Sequence, residues 1–147
     1  MAGQALVTIK DKHWQVSLAT NYLELVQGLS NTPQIPSGTG LLFDLGYDTI
    51  FTVTTEQMLF PLDIVRVSSA MAVTDVAHNV QPGQLATSEI PARYFLEVNA
   101  GEASSINPSD QATVQLTASA EPTQIDISGL AVTLLAMALM ASMVSVP

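Results

Sequence analysis

ALVTIKDKHWQVSL, residues 5–18, decides the fold class. Residues 5–9 alternate small or apolar side chains with polar ones. Residues 13–18 do so again, with Trp14, Val16 and Leu18 on one face. A period of two sends successive side chains to opposite sides of a strand. Lys10-Asp11-Lys12 between them has turn chemistry, so the stretch predicts a β-hairpin.

Working outward, Thr20 is placed to cap a short helix over 21–29, whose Tyr22, Leu25, Val26 and Leu29 recur at i, i+3, i+4 and i+7. A loop follows over 30–40, with Pro33, Pro36 and two glycines. Residues 41–45 and 49–54 read as strands separated by a Gly46-Tyr47-Asp48 turn. Residues 62–68 and 71–77 read as two more, rich in β-branched residues. A polar loop over 78–90 carries Gln81-Pro82-Gly83. Residues 92–98 are another strand and 111–117 the last. Between those two, 100–106 predict one turn of helix closed by Asn107-Pro108. Short strands at close spacing predict a mostly β domain, a small barrel or sandwich with one or two short helices, over 1–117. Residues 118–127 read as a linker, and 128–147 as an apolar C-terminal helix.

Charge narrows the partners. Thirteen acids face four bases (Lys10, Lys12, Arg66, Arg93) for a net charge of −9. Four scattered cations do not neutralise a run of phosphates, which argues against nucleic acid and against an anionic membrane surface. Cysteine is absent, so thiolate and disulfide chemistry are excluded. The N-terminus lacks a charged region followed by a long apolar one, so it predicts synthesis in the cytoplasm without a signal peptide.

The middle of the chain resembles the domain-of-unknown-function family number 192. The residues that carry the likeness are Gly28-Leu29, Gly40-Leu41-Leu42-Phe43, Phe60-Pro61-Leu62-Asp63-Ile64, His78-Asn79 before Pro82, and above all the run from Pro91 through Ala92-Arg93-Tyr94-Phe95-Leu96-Glu97-Val98-Asn99 to Gly101. Their order and spacing fit over about residues 7–116. The resemblance implies a compact, mostly β barrel-like domain and names no activity. It also fails in places. Members usually carry an aromatic-Trp-Met-Lys-Asn-like stretch where this chain reads Val53-Thr54-Thr55-Glu56-Gln57, so a ligand site lined by that stretch would be altered here. The glycine-aspartate turn before the last strand is replaced by Pro108-Ser109-Asp110.

Asp63, His78, Arg93, Tyr94 and Glu97 coincide with those motifs. They read either as a pocket, with Arg93 gripping an anion and Asp63 or His78 acting as base, or as a core ion pair of Arg93 with Asp63 or Glu97. No zinc site, nucleophile elbow or phosphate loop is spelled out: the histidines are His13 and His78 alone, and Ser37-Gly38-Thr39-Gly40 lacks the lysine and the following helix. No cofactor is expected.

Residues 127–147 carry no charge. Ser128 caps and Asp126 favours a helix start. Leu130, Leu134, Met137, Ala141 and Val144 then repeat at spacings of 4, 3, 4 and 3, a helix-packing seam. Residues 129–146 are marginal for a membrane span and lack interfacial aromatic or basic anchors. The expectation is a non-enzymatic structural or interaction protein. Its C-terminal helix docks the β domain against protein subunits in a homo- or hetero-oligomer, such as a virus particle in a capsid-decoration or tail-associated role. The alternative is a membrane-anchored domain that binds a small ligand, and an enzyme ranks third.

Overall fold

The computed structural model describes residues 3–21, 23–24 and 28–118. Within them the chain is mostly β. Nine strands run β1 (Gln4–Ile9), β2 (Lys12–Ala19), β3 (Thr39–Thr49), β4 (Val53–Thr54), β5 (Leu62–Val67), β6 (Val73–Val80), β7 (Leu85–Ala86), β8 (Ala92–Asn99) and β9 (Ala112–Ala118). Seven form one sheet in the order β6-β5-β8-β3-β2-β1-β9, and β4 pairs with β7 separately.

The hairpin is present, but its turn is Lys10-Asp11 and Lys12 already belongs to β2, so the pairing runs from Ile9↔Lys12 to Gln4↔Ser17. Its turn is tight, with Lys10 in the left-handed region at φ 57°. β2 and β3 pair in parallel, Gln15↔Thr39 to Ala19↔Phe43, which forces the chain to cross over between them. That crossover holds the segment read as a helix. Leu23 and Glu24 are helical, and the cap is Asn21 rather than Thr20. Asn21 Oδ1 accepts from Glu24 N at 2.9 Å, while Glu24 Oε1 accepts from Thr20 N and Asn21 N at 3.1 and 3.4 Å, a capping box. Gly28 and Leu29, read as the end of that helix, form a turn; residues 22 and 25–27, the linker after residue 118 and the C-terminal helix lie outside the described residues.

Other expectations change as well: the strand read over 49–54 is reduced to the end of β3 and to β4, with residues 50–52 in neither. The Gly46-Tyr47-Asp48 turn is a bulge inside one long strand: β3 pairs with β8 from Gly40↔Val98 to Asp44↔Tyr94 and resumes at Thr49↔Ala92. Gly46, at φ 90°, lets the extra residues loop out, and its N–H is bound by Asp44 Oδ1 at 2.8 Å. β6 continues through His78 to Val80, where a polar loop was expected, because Leu62↔Val80 extends its ladder. Residues 100–106 form successive turns instead of helix, with N–H groups of Glu102, Ser104 and Ile106 bound three residues back to Asn99, Gly101 and Ala103.

The sheet curls, and one antiparallel bridge, Ala72↔Gln111, brings the starts of β6 and β9 together. Its concave side buries Val7, Trp14, Val16, Leu42, Val65, Leu96 and Val98, closed at one end by Ala103 and Ile106. The other side is also covered: Phe43, Met58, Leu62, Ile64 and Phe95 pack under β4, β7 and their loops. β5 is therefore buried at every position, and β8 at all but its last. At the crossing of β3 and β8 the backbones approach so closely that a Cβ on Gly40 would lie 2.5 Å from the Glu97 carbonyl oxygen and 2.9 Å from Val98 Cγ1.

Gly40→Ala is therefore expected to push β3 away from β8 and to destabilise the fold by roughly 2–3 kcal/mol, as overpacked sites do. Urea unfolding reads this; an unchanged midpoint would mean that the two strands separate freely.

Candidate functional site

β8 presents alternate residues to opposite sides of the sheet, so the five motif residues do not converge. Tyr94 packs into the concave core. Asp63, opposite Val98, faces the same side and is fully buried. Its Oδ1 accepts from Asn79 N at 2.8 Å, and its Oδ2 from Gly101 N and Ala103 N, both at 2.9 Å. This carboxylate ties β5 to β6 and to the 100–106 turns, with its acceptors filled by backbone donors. His78 Nδ1 lies 3.9 Å from Asp63 Oδ2, on a half-exposed side chain.

Arg93 has its ion-pair partner on β3. Its Nε and Nη2 donate to Asp44 Oδ1 and Oδ2 at 2.9 and 3.2 Å, a two-pronged pair in which both residues are buried. The hydrogen bond that Arg93 donates to Asp44 raises the Arg93 pKa above its ordinary value. Its guanidinium also sits 5.0 Å from the Tyr94 ring centre. Burial, helped by Asp44, pushes the Tyr94 hydroxyl up. Neither Asp63 nor Glu97 is the partner: the pairing spans the β3 bulge, and sequence spacing carries no trace of it.

Glu97 stands apart from these satisfied groups. It lies opposite Ile64 on the second side of the sheet, 4% exposed. Its Oε1 is buried with no hydrogen-bond partner. Burial alone pushes its carboxyl up to about 8, so it carries a proton at neutral pH. It forms part of the wall of a cavity of about 380 Å³. Phe43 and Phe95 stack beside it with ring centres 4.0 Å apart and planes 7° from parallel. Leu29 and Met58 add apolar wall, and Thr52, Val53, Thr54, Glu56 and Gln57 form the facing loop. Gly28, at φ 50°, lies over the rings; a Cβ there would come 3.0 Å from Phe43 Cζ.

That facing loop is the stretch where the sequence leaves the family pattern. Thr55 anchors it. Its buried Oγ1 donates to Gln81 O at 2.8 Å and accepts from Gln84 N at 2.8 Å, while its backbone binds Gln84 O and Gly83 N. Farther along the same side Arg66 is 1% exposed, with Nη2 donating to Ala86 O at 2.6 Å and its guanidinium 4.7 Å from the Phe51 ring centre. Its Nε and Nη1 find no acceptor, and desolvation lowers its pKa. Sequence reasoning did not single out Arg66; an arginine inside the apolar run Leu62–Val67 is the signal that was there. The helix seam, Leu130 to Val144, lies outside the described residues.

Residues 5–116 match the family profile described as Uncharacterized ACR, DUF192. No curated protein matches the chain. Two solved structures share its fold. A Sinorhizobium meliloti 1021 protein, provisionally described as a transcription regulator, is 23% identical, with a TM-score of 0.70 over 78% of this chain and 94% of that one. A Novosphingobium aromaticivorans DSM 12444 protein of unknown function is 24% identical, with a TM-score of 0.68 over 75% and 83%.

Glu97 sets a pH dependence of stability. Its folded pKa, about 8, lies above the unfolded value of 4.5. Between these values the unfolded chain has released a proton that the folded chain keeps, so stability falls as pH rises, by about 1.4 kcal/mol per unit. Glu97→Gln is expected to match the native chain near pH 4 and to exceed it by on the order of 3 kcal/mol at pH 7. Chemical denaturation at the two pH values checks this; equal stability at both would place the carboxyl in water.

Proposed function

Because the chain belongs to the DUF192 family, whose description assigns no activity, we propose that it is a non-enzymatic binding module that holds a small molecule in the Glu97 cavity of a curled, barrel-like sheet. One observation carries the reading. An open cavity of about 380 Å³, within the usual range for small-molecule sites, has on its wall a buried carboxyl group whose Oε1 has no hydrogen-bond partner among the described residues. The rest of the wall suits binding rather than turnover. No second buried acid or base stands beside Glu97 among the described residues of the wall, and Glu56, the other carboxyl on the cavity, is an exposed loop residue. Asp63 and Arg93 are engaged in holding strands together.

Thr54 lines the cavity from an exposed position, so Thr54→Trp is expected to fill the opening with little effect on folding. Fragment screening by NMR should find ligands that shift the Phe43 and Phe95 ring signals. Those shifts should vanish in Thr54→Trp. Fragments that bind the variant equally well would remove the cavity from the proposal.

A second reading concerns residues 127–147, whose lack of charge calls for a cover. We propose that this stretch docks the domain into an assembly of protein subunits, with a virus particle as one setting. Lipid is the other cover. Among the described residues no helix is long and apolar enough to cross a membrane. Light scattering is expected to give a multiple of the chain mass that drops when the chain ends at Thr123. An unchanged mass would refute docking through the tail, and partition of the whole chain into detergent would favour lipid.

A further inference from the structure

We propose that the cavity takes a small organic cation, its ammonium group paired with Glu97 and its apolar body laid against the Phe43–Phe95 stack; this rests on the binding role above and names its ligand class.

The charge pattern of the wall points to a cation. Its two ionisable residues are Glu97 and Glu56, and no described Lys or Arg lines it. The nearest cations on this side are engaged elsewhere: Arg93, on β8, with Asp44, and Arg66, on β5, with the Ala86 carbonyl and the Phe51 ring. An anionic ligand would meet two carboxyl groups and the electron-rich ring faces. A cation is attracted by both, and ring faces reward it further once water is excluded. The overall charge of −9 also favours its approach.

The hydrogen-bond count agrees. Glu97 Oε1 is nine-tenths buried with its residue and lacks a donor. A hydroxyl group supplies one O–H, whereas an ammonium group supplies three N–H donors and compensates the carboxylate charge. Among the described residues no donor competes for that oxygen. The apolar wall of Leu29, Met58 and the two rings fits a hydrocarbon or aromatic body, not a sugar.

A proton must leave when such a ligand binds. The free site holds the carboxylic acid at pH 7, since burial keeps its pKa near 8. Pairing with an ammonium group favours the carboxylate, so the acid proton passes to solvent and the ligand keeps its own. Charged groups around Glu97 are Glu56 on the facing loop, Arg66 on β5 and the Arg93–Asp44 pair farther along β8 and β3. None of them contributes to the shift, of which burial is the one cause.

Three probes with one body separate the cases: 2-phenylethylamine, 2-phenylethanol and phenylacetate, titrated by calorimetry into the whole protein, with Phe43 and Phe95 ring signals as the site marker. The amine is expected to bind at least about tenfold more tightly than the alcohol. Its affinity should rise about tenfold from pH 6 to 7 and level off above about 8. Paired titrations in buffers of different ionisation heat should show close to one proton released per amine at pH 7. In Glu97→Gln that proton release and that pH dependence of amine binding should disappear. An alcohol that shifts the rings as well as the amine does, or amine binding that is flat with pH, overturns the cation proposal and leaves the cavity as a binding site. Ring signals untouched by all three probes overturn both.

Discussion

Burial of β5 and β8 on both faces is the constraint from which the rest of this structure follows. A strand with one wet face can carry charges freely; these two cannot. Yet they hold Asp63, Arg66, Arg93 and Glu97 within their buried spans. An ionised group taken out of water costs several kcal/mol unless it is paired or hydrogen-bonded. The four residues meet that cost differently. Asp63 collects three backbone N–H donors, Arg93 takes the two oxygens of Asp44, and Arg66 lies against a ring and one carbonyl. Glu97 has none of these and stays neutral by holding its proton.

The strands were legible in the sequence because burial on one face leaves a period of two, as in the hairpin of residues 5–18. The strands buried on both faces were legible from their apolar runs. What sequence could not give were features set by distant residues. The Gly46–Asp48 segment has the composition of a turn, and only the resumed pairing Thr49↔Ala92 makes it a bulge. Residues 100–106 have helical composition, but Asp63 takes the N–H groups of Gly101 and Ala103, with Gly101 at φ 94°. The partner of Arg93 depends on which strands neighbour β8, and that order, β5-β8-β3, is not a local property. Of the five candidates Asp63, His78, Arg93, Tyr94 and Glu97, it is Glu97 that lines the cavity beside the Phe43–Phe95 stack. Its position between Leu96 and Val98 hinted at burial but not at an empty space beside it.

The stretch in which this chain departs from its family's pattern, residues 53–57, forms the wall facing Glu97. It is well fixed. Thr55 is fully buried and its side chain and backbone bind the 81–84 loop from both sides. A wall fixed in this way loses little further freedom when a ligand arrives, which favours affinity. Its charged residue is Glu56, so the loop adds a second carboxyl group to the site.

The fold itself has no use for a carboxyl group at position 97. Asp63 and Arg93 join elements that would otherwise separate, whereas the Glu97 side chain joins nothing among the described residues. A leucine there would bury the same strand, and β8 already places one at 96. By the linkage between proton binding and folding, the carboxyl forgoes on the order of a few kcal/mol at neutral pH. That is a large part of the stability of a small domain. Ionisable groups held in such a state concentrate where a ligand or reaction uses them. The same burial that makes Glu97 a burden on the empty domain makes its carboxylate a strong partner once a counter-charge arrives, because the low dielectric that penalises it alone strengthens its pairing.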